Sequence, residues 1–409
     1  MDADVVIIGA GVAGLNAARV VKRSGATPVV LESSQEIGGR VRTELVDGFK
    51  VDVGFQVLNP GYPALRKAVD LGELGLRSFG RGVCARTDGR LVEIMDPSRA
   101  PWRGAAARLA ARDPRAVGRL ALWLGDRAGA DVTLSESLDK AKVHGFWRSL
   151  LEGFLAGVIG DDSGSTSASF TRGLVGWFLL GTPGLPAQGM AALPARLAER
   201  SGAQVRRGVR VTSVSPEGSG WVVKTDGDTW RARSVIIATD PWTAVALAGG
   251  PSPAPARGLA TWWFDAPVAP TRSNLLHLEV DRRGPVVNTA VVSNAQPSYA
   301  PAGRHLVQAS TLWREDRQPT ESEVRRHAEA IYGSSTADWR VVAAHVVRDA
   351  LTPVLPGREA PTIEAGPGLY VATDAGEASL QGALRRGAAA GERAAAWTGA
   401  NQGPEPVEG

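Results

Sequence analysis

The run Gly9-Ala10-Gly11-Val12-Ala13-Gly14 constrains this chain more than any other six residues. Before it, Asp4 to Gly9 (DVVIIG) is a short apolar run suited to a buried parallel strand. After it, Val12 to Ser24 has helical spacing and Gly25 ends it; Pro28 to Glu32 (PVVLE) is a second apolar strand. Together they make a βαβ unit with G-x-G-x-x-G at the strand-to-helix turn. Gly9 permits the tight turn, Gly11 lets the backbone approach a pyrophosphate, and Gly14 lets the helix pack close to the strand. The helix start at Val12 and Ala13 presents free N–H groups and a positive dipole end to phosphates. Glu32 and Ser33 close the second strand, where a carboxylate can accept hydrogen bonds from ribose hydroxyls and repels a 2′-phosphate. A ligand-free glycine turn is the competing reading, and the two strands, helix and acid argue against it.

The totals exclude several other classes. At 409 residues the chain suits two or three domains, and a net charge of +4 is too small to suggest nucleic acid. One cysteine, Cys84, rules out an internal disulfide and a cysteine metal cluster, and five scattered histidines offer no metal-ligand spacing. The N-terminus runs straight into a strand pattern, so no signal peptide is expected. No apolar run approaches the roughly 18 residues of a membrane span. The expected location is cytoplasmic.

Further along, a basic, alanine-rich stretch from Ser98 to Ala130 reads as helical. Its arginines (Arg99, Arg103, Arg108, Arg112, Arg115, Arg119, Arg127) alternate with Leu109, Val117, Leu120 and Trp123. The stretch 98–130 is a candidate for peripheral contact with anionic lipid, against a solvated helix with one apolar face. Val143 to Ile159 is a second helix, and Asp161 to Ser169 a polar connection. Val205 to Val214 reads as one strand. Trp221 to Thr225 and Thr229 to Ala232 flank Asp226–Gly227, a hairpin signal. Val235 to Ala238 reads as another strand. Pro251, Pro253 and Pro255 mark a linker, and strand-like runs follow at 285–293 and 305–311. Glu321 to Tyr332 is helical, Leu369 to Ala372 a last strand, Ser379 to Trp397 a last helix, and 399–409 a disordered tail.

Ile37-Gly38-Gly39-Arg40-Val41-Arg42-Thr43 follows the acid almost at once, and a glycine pair with a fixed cation can close over a pyrophosphate from the other side. Here the chain resembles the superfamily of FAD-dependent amine oxidases, protoporphyrinogen oxidases and phytoene desaturases. Asp52-Val53-Gly54 looks like that superfamily's next element, before the chain reaches the flavin. Gly368-Leu369-Tyr370-Val371-Ala372-Thr373-Asp374, then Ser379-Leu380-Gln381-Gly382-Ala383, is similar to its closing motif, with Thr373 where the family usually has glycine. The resemblance implies that Asp374 bonds the ribityl chain or pyrophosphate. It also implies that the N–H groups of Leu380, Gln381 and Ala383 face the flavin. Val209 resembles the valine whose backbone meets adenine, and Ala238 and Thr239 a strand end beside the nucleotide. Gly54, Phe55 and Gln56 are assigned to the flavin side, and Phe55, Gln56 and Tyr370 are the candidates above the ring. Gln188-Gly189-Met190 resembles a lead into the region.

The implied fold is α/β. A Rossmann-like, discontinuous FAD-binding domain (1–85, 188–250 and 346–398) is joined to an α+β substrate domain (251–345) with a helical insertion (86–187). The implied cofactor is FAD, and the partner an apolar small molecule. Amine oxidases usually hold a lysine near flavin N5, late in the substrate domain; no lysine occurs after Lys224. No cysteine near the closing motif allows a thioether to flavin, and no second G-x-G-x-x-G supports an NAD(P)H domain. The expectation is dehydrogenation (desaturation) of an apolar unsaturated or ring substrate, with reoxidation by oxygen or a quinone. Trp177-Phe178 and Trp262-Trp263-Phe264 are either pocket walls or core. The alternatives are an amine oxidase lacking the lysine, a redox-neutral flavin isomerase, and a flavin-binding protein without turnover.

Overall fold

A computed structural model of the protein describes residues 1–95 and 113–400. Its first sheet is built on the strand Ala3–Ile8, with Pro28–Glu32 on one side and Thr229–Ile237 on the other, all parallel. Gln204–Arg207 adds beyond Pro28–Glu32. The strand Thr229–Ile237 changes partners along its length. Its first half takes the antiparallel strand Gly220–Thr225, and its second half the parallel strand Leu369–Val371. Val5, Ile7 and Ile236 point to one face, Val6, Ile8 and Ile237 to the other, and all are buried, as a sheet covered on both sides requires.

One face is covered by the first helix (Val12–Arg23) and the closing helix (Leu380–Ala400), which pack at a distance only small residues allow. A methyl group on Gly387 would sit 2.2 Å from Ala13 O, and one on Gly391 2.8 Å from Ala17 O. Asn16 Nδ2 donates to Leu384 O at 2.7 Å, fixing the two helices in register.

A second sheet runs in the order Arg340–Leu351, Arg257–Ala266, His305–Trp313, Val286–Val291, Leu276–Glu279, Gly82–Thr87, Arg90–Met95. Helix Glu321–Tyr332 covers one face through Val324, Ala328 and Ile331. The other face turns Trp263, Ala290 and Leu306 into the core shared with the first sheet. Helices Pro114–Gly125, Leu134–Lys140, Gly145–Ile159 and Ala168–Leu180 build a separate cluster around Trp123, Leu138, Leu155 and Leu174.

Several expectations need correction. Val205 to Val214 is two strands, Gln204–Arg207 and Val211–Glu217, broken where Gly208 takes φ +69°. Val235 to Ala238 is not a separate strand but the continuation of Thr229–Ile237. The helix in the basic stretch ends at Gly125, well before Ala130, and its residues 98–112 lie outside the described residues. The last helix runs to Ala400, past the expected start of the tail, and 401–409 are outside the described residues. Gly82–Thr87 and Arg340–Leu351 each span an expected domain boundary and pair within the second sheet. Trp263 and Phe264 are fully buried core residues on opposite faces of one strand. Among the described residues no helix is long and apolar enough to cross a membrane.

The helix pair gives a stability test. Gly387→Val forces the two helices apart and should cost about 2 kcal/mol or more. Gly118→Ala, whose added methyl meets nothing within 4 Å in an exposed helix, should stabilise by up to about 1 kcal/mol. Urea unfolding of the two variants checks both signs.

Candidate functional site

The glycine turn is closed by backbone contact. Gly9 takes φ +102°, and a Cβ there would lie 2.7 Å from Ala238 O; a Cβ on Gly14 would lie 2.0 Å from Gly9 O. Gly11 differs, because a Cβ on it would meet nothing within 4 Å. The space in front of Gly11 is therefore open while its neighbours are packed shut. The second glycine pair folds onto that opening: Gly38 N donates to Ala10 O at 2.8 Å, and a Cβ on Gly39 would sit 3.6 Å from Gly11 Cα. Gly38 and Gly39 both adopt positive φ, +106° and +61°, which favours glycine. Two glycine-rich turns thus face one opening, a cradle that fits a diphosphate.

Glu32 sits at one end of this cradle. Its carboxylate accepts from Ala10 N at 2.7 Å, Ser34 N at 2.8 Å and Ser33 Oγ at 3.4 Å, and its carbonyl accepts from Val209 N at 2.8 Å. So Glu32, Ser33 and Val209 meet beside the glycine turn, with Ala238 against Gly9. The Thr239 hydroxyl donates to the Asp240 carbonyl at 3.0 Å.

At the other end, Arg40 Nη2 pairs with Asp374 Oδ2 at 2.9 Å, across 334 residues of chain. Arg40 Nη1 also donates to Ala350 O at 3.0 Å, and Thr352 Oγ1 donates to Asp374 Oδ1 at 3.1 Å. Gln56 Nε2 donates to Arg40 O at 2.6 Å and Val53 O at 3.2 Å, so it braces the turn. The closing helix starts at Leu380, and Ser379 caps it by accepting from Gly382 N at 3.1 Å. Ala383 N is satisfied by Ser379 O, leaving the Leu380 and Gln381 amides as the open donors. The Gln381 side chain turns away to accept from Ala64 N at 2.9 Å.

Facing Gly54 is a wall made by three strands of the second sheet. Leu259 is the register partner of both Leu312 and Val347, so the three side chains share a face. A Cβ on Gly54 would lie 3.9 Å from Val347 Cγ2, which makes this the face turned toward the cradle. The next row on the same face is polar: Asn288, Ser310, Thr261 and His345. Gln308 Nε2 donates to Asn288 Oδ1 at 3.1 Å, Ser310 Oγ donates to Gln308 Oε1 at 3.2 Å, and the Thr261 and Ser310 hydroxyls are 3.0 Å apart.

One candidate sits elsewhere than expected. Tyr370 is a core residue, register partner of Ile236 and packed with the face under the closing helix, not above a ring site. Phe55 is half-buried, edge-on to Phe79 with centroids 6.0 Å apart. Asp52, which opens the Asp52-Val53-Gly54 element, is fully buried. It accepts from Thr43 Oγ1 at 2.6 Å, Met190 N at 3.0 Å and Tyr299 OH at 2.9 Å, tying three segments together. Burial pushes its carboxyl up from an ordinary value near 3.8 to about 6, against these hydrogen bonds, which pull it down. Sequence reasoning missed Thr352, Tyr299 and the Leu259 row, since nothing local distinguishes them from core residues.

Two outcomes follow. Asp374→Asn removes the charge that holds Arg40, and FAD affinity, read from flavin fluorescence at equilibrium, should fall by about tenfold or more. For Asp52 the folded state holds its proton more tightly than the unfolded state. Its contribution is complete below about pH 4 and lost as pH rises through 6. The stability of the native protein relative to Asp52→Asn should therefore decline by roughly 2 kcal/mol from pH 4 to pH 7, measured by urea unfolding; a flat difference contradicts the argument.

The profile of the family described as flavin containing amine oxidoreductase matches residues 12–396. Putrescine oxidase of Kocuria rosea is 42% identical over 81 residues, 20% of this chain and 16% of that protein. A Mycobacterium tuberculosis protein provisionally named a flavin-containing monoamine oxidase, AofH, is 27% identical over 300 residues, 67% of this chain and 62% of that one. The chain thus spans less than two thirds of the length of either relative. A structure from an Exiguobacterium species, provisionally named a protoporphyrinogen oxidase, superposes with a TM-score of 0.72 at 18% identity, covering 96% of this chain and 98% of that one; at that identity the likeness is one of fold. The chain belongs to the flavin containing amine oxidoreductase family, and its cofactor is FAD.

Proposed function

We propose that this protein is an FAD-dependent oxidoreductase that dehydrogenates an apolar unsaturated or ring compound. The observation that supports this most is the wall of Leu312, Leu259 and Val347 facing the cradle at Gly54. An aliphatic row holds a substrate by burial, worth about 0.8 kcal/mol per CH₂ removed from water. It offers no proton acceptor and no cation. The absence of any lysine after Lys224 supports the same reading, because the amine-oxidase lysine has no counterpart in this region.

In this reading Gly9, Gly11, Gly14, Gly38 and Gly39 hold the diphosphate, Glu32, Ser33 and Val209 the adenosine, and Arg40 with Asp374 the ribityl end. The Leu380 and Gln381 amides would be the donors offered to the ring. FAD, when bound, supplies the two-electron acceptor. The Leu259 row would hold the substrate's reacting carbons toward that acceptor from one side, leaving the proton a route to solvent. No side chain of that row takes the proton that leaves with the hydride, so the proton passes to solvent. Oxygen or a quinone then accepts the electrons.

Anaerobic mixing with a panel of polyenes, porphyrinogens, cyclic compounds and amines tests this by flavin bleaching. We expect bleaching by a polyene, porphyrinogen or other apolar ring compound. Bleaching by amines alone overturns the reading in favour of amine oxidation. Turnover seen only after prior reduction indicates a redox-neutral isomerase, and no response to any compound a binding role; either result also overturns it.

A further inference from the structure

The segment 40–44 is tied to the edge strand Arg340–Leu351 at two points. Arg40 reaches Ala350 O, and His345 Nε2 lies 3.2 Å from Glu44 Oε2. Arg42 leaves the chain between these ties, on the stretch where Val347 faces Gly54. It is half-buried, its Nε is sealed from solvent without a hydrogen-bond partner, and no carboxylate pairs with its guanidinium among the described residues. On the same seam His345 Nδ1 is also buried and unpartnered. A packing seam normally satisfies or removes such atoms, because each one left unpaired is costly. A guanidinium also keeps its charge at any working pH. The seam therefore holds, at the edge of an apolar wall, a guanidinium that no carboxylate pairs with among the described residues.

We propose that Arg42 anchors the carboxylate of the substrate, so that the compound oxidised is an apolar acid. The placing of that acid against the Leu259 row rests on the function proposed above. Two oxyanions have the chemistry to pair with this guanidinium, a substrate carboxylate and the cofactor diphosphate. Arg40 follows the turn that folds over Gly11 and is already paired with Asp374, on the cofactor's side of the site. Arg42 lies two residues further on, toward Gly54 and the aliphatic row, so its partner is the substrate. The planar fork matches a carboxylate with two parallel hydrogen bonds.

The holoprotein is titrated with benzoate and with benzamide, which share a ring and differ in charge, and the shift of the flavin absorption band is followed. Benzoate should bind at least about tenfold more tightly than benzamide. Arg42→Met should lose that preference with FAD affinity unchanged, and Arg42→Lys should keep part of it. Equal affinity for the two probes in the native protein overturns the proposal, as does undiminished benzoate binding by Arg42→Met. A tenfold loss of FAD affinity in Arg42→Met also overturns it, since the guanidinium then serves the diphosphate. Should Arg42→Met fail to fold, Arg42→Lys decides on the same affinities. Probe binding requires no turnover, so its failure and the failure of the bleaching test are separable.

Discussion

The contact between Arg40 and Asp374 joins the two ends of the chain at the point where both sheets meet. Its value is positional. Arg40 keeps 37% of its side chain exposed, and ion pairs with one solvated partner contribute little stability. What the pair does is close a ring of three segments. The glycine turn at Gly38 and Gly39 supplies Arg40, the end of the edge strand supplies Ala350 O and Thr352, and the last strand of the first sheet leads to Asp374. With these fixed, the distance between the open space at Gly11 and the wall at Leu259 is fixed as well.

Two further constraints hold that ring in shape. The closing helix approaches the first helix so closely that Gly387 and Gly391 admit no side chain, which sets where the helix starts and hence where the Leu380 and Gln381 amides stand. Asp52 works from below. Its carboxylate is shared by Thr43, Met190 and Tyr299, residues from the hairpin of Thr43–Val46 and Phe49–Asp52, the lead into helix Ala192–Ser201 and the second sheet's side of the core. A buried carboxylate costs desolvation, and three donors offset it in part; the arrangement trades stability for a defined seat beneath Gly54.

What could be read in the sequence follows from how local each constraint is. The turn at Gly9 to Gly14 and the pair Gly38–Gly39 were legible, since strand, turn and helix lie within one short stretch and each glycine answers to backbone geometry. Two hairpins carried an equally local signal that went unread: Asp47–Gly48 and Asp88–Gly89 both take positive φ, the conformation Asp-Gly favours between paired strands. The signal that was read, Asp226–Gly227, does mark a hairpin, but its turn is held by Thr225 Oγ1 donating to Asp228 O and accepting from Gly227 N. The strand Thr229–Ile237 reads as two in the sequence because Arg233 and Ser234 interrupt its pattern. The strand is in fact an edge in its first half and central in its second. Asp52 was noticed through resemblance, yet its burial depends on Tyr299, 247 residues away, and no local pattern records that.

The wall was illegible for a related reason. Leu259, Leu312 and Val347 become one row only through register, and a slip of one residue would turn the row to the other face. The edge strand adds a second dependence. Leu259 pairs with Val347 while Arg257 pairs with Leu351, so between these pairs one residue on one strand opposes three on the other. Such a bulge bends the strand and re-aims what it carries. Here it lets Val347 stay in the aliphatic row while Ala350 turns its carbonyl to Arg40 and Thr352 its hydroxyl to Asp374. The same irregularity thus sets both the wall and one side of the cradle. A regular strand could keep Val347 in register with Leu259 or bring Ala350 to Arg40. The extra residues allow both, which is why the substrate side and the cofactor side of this site meet at the edge strand.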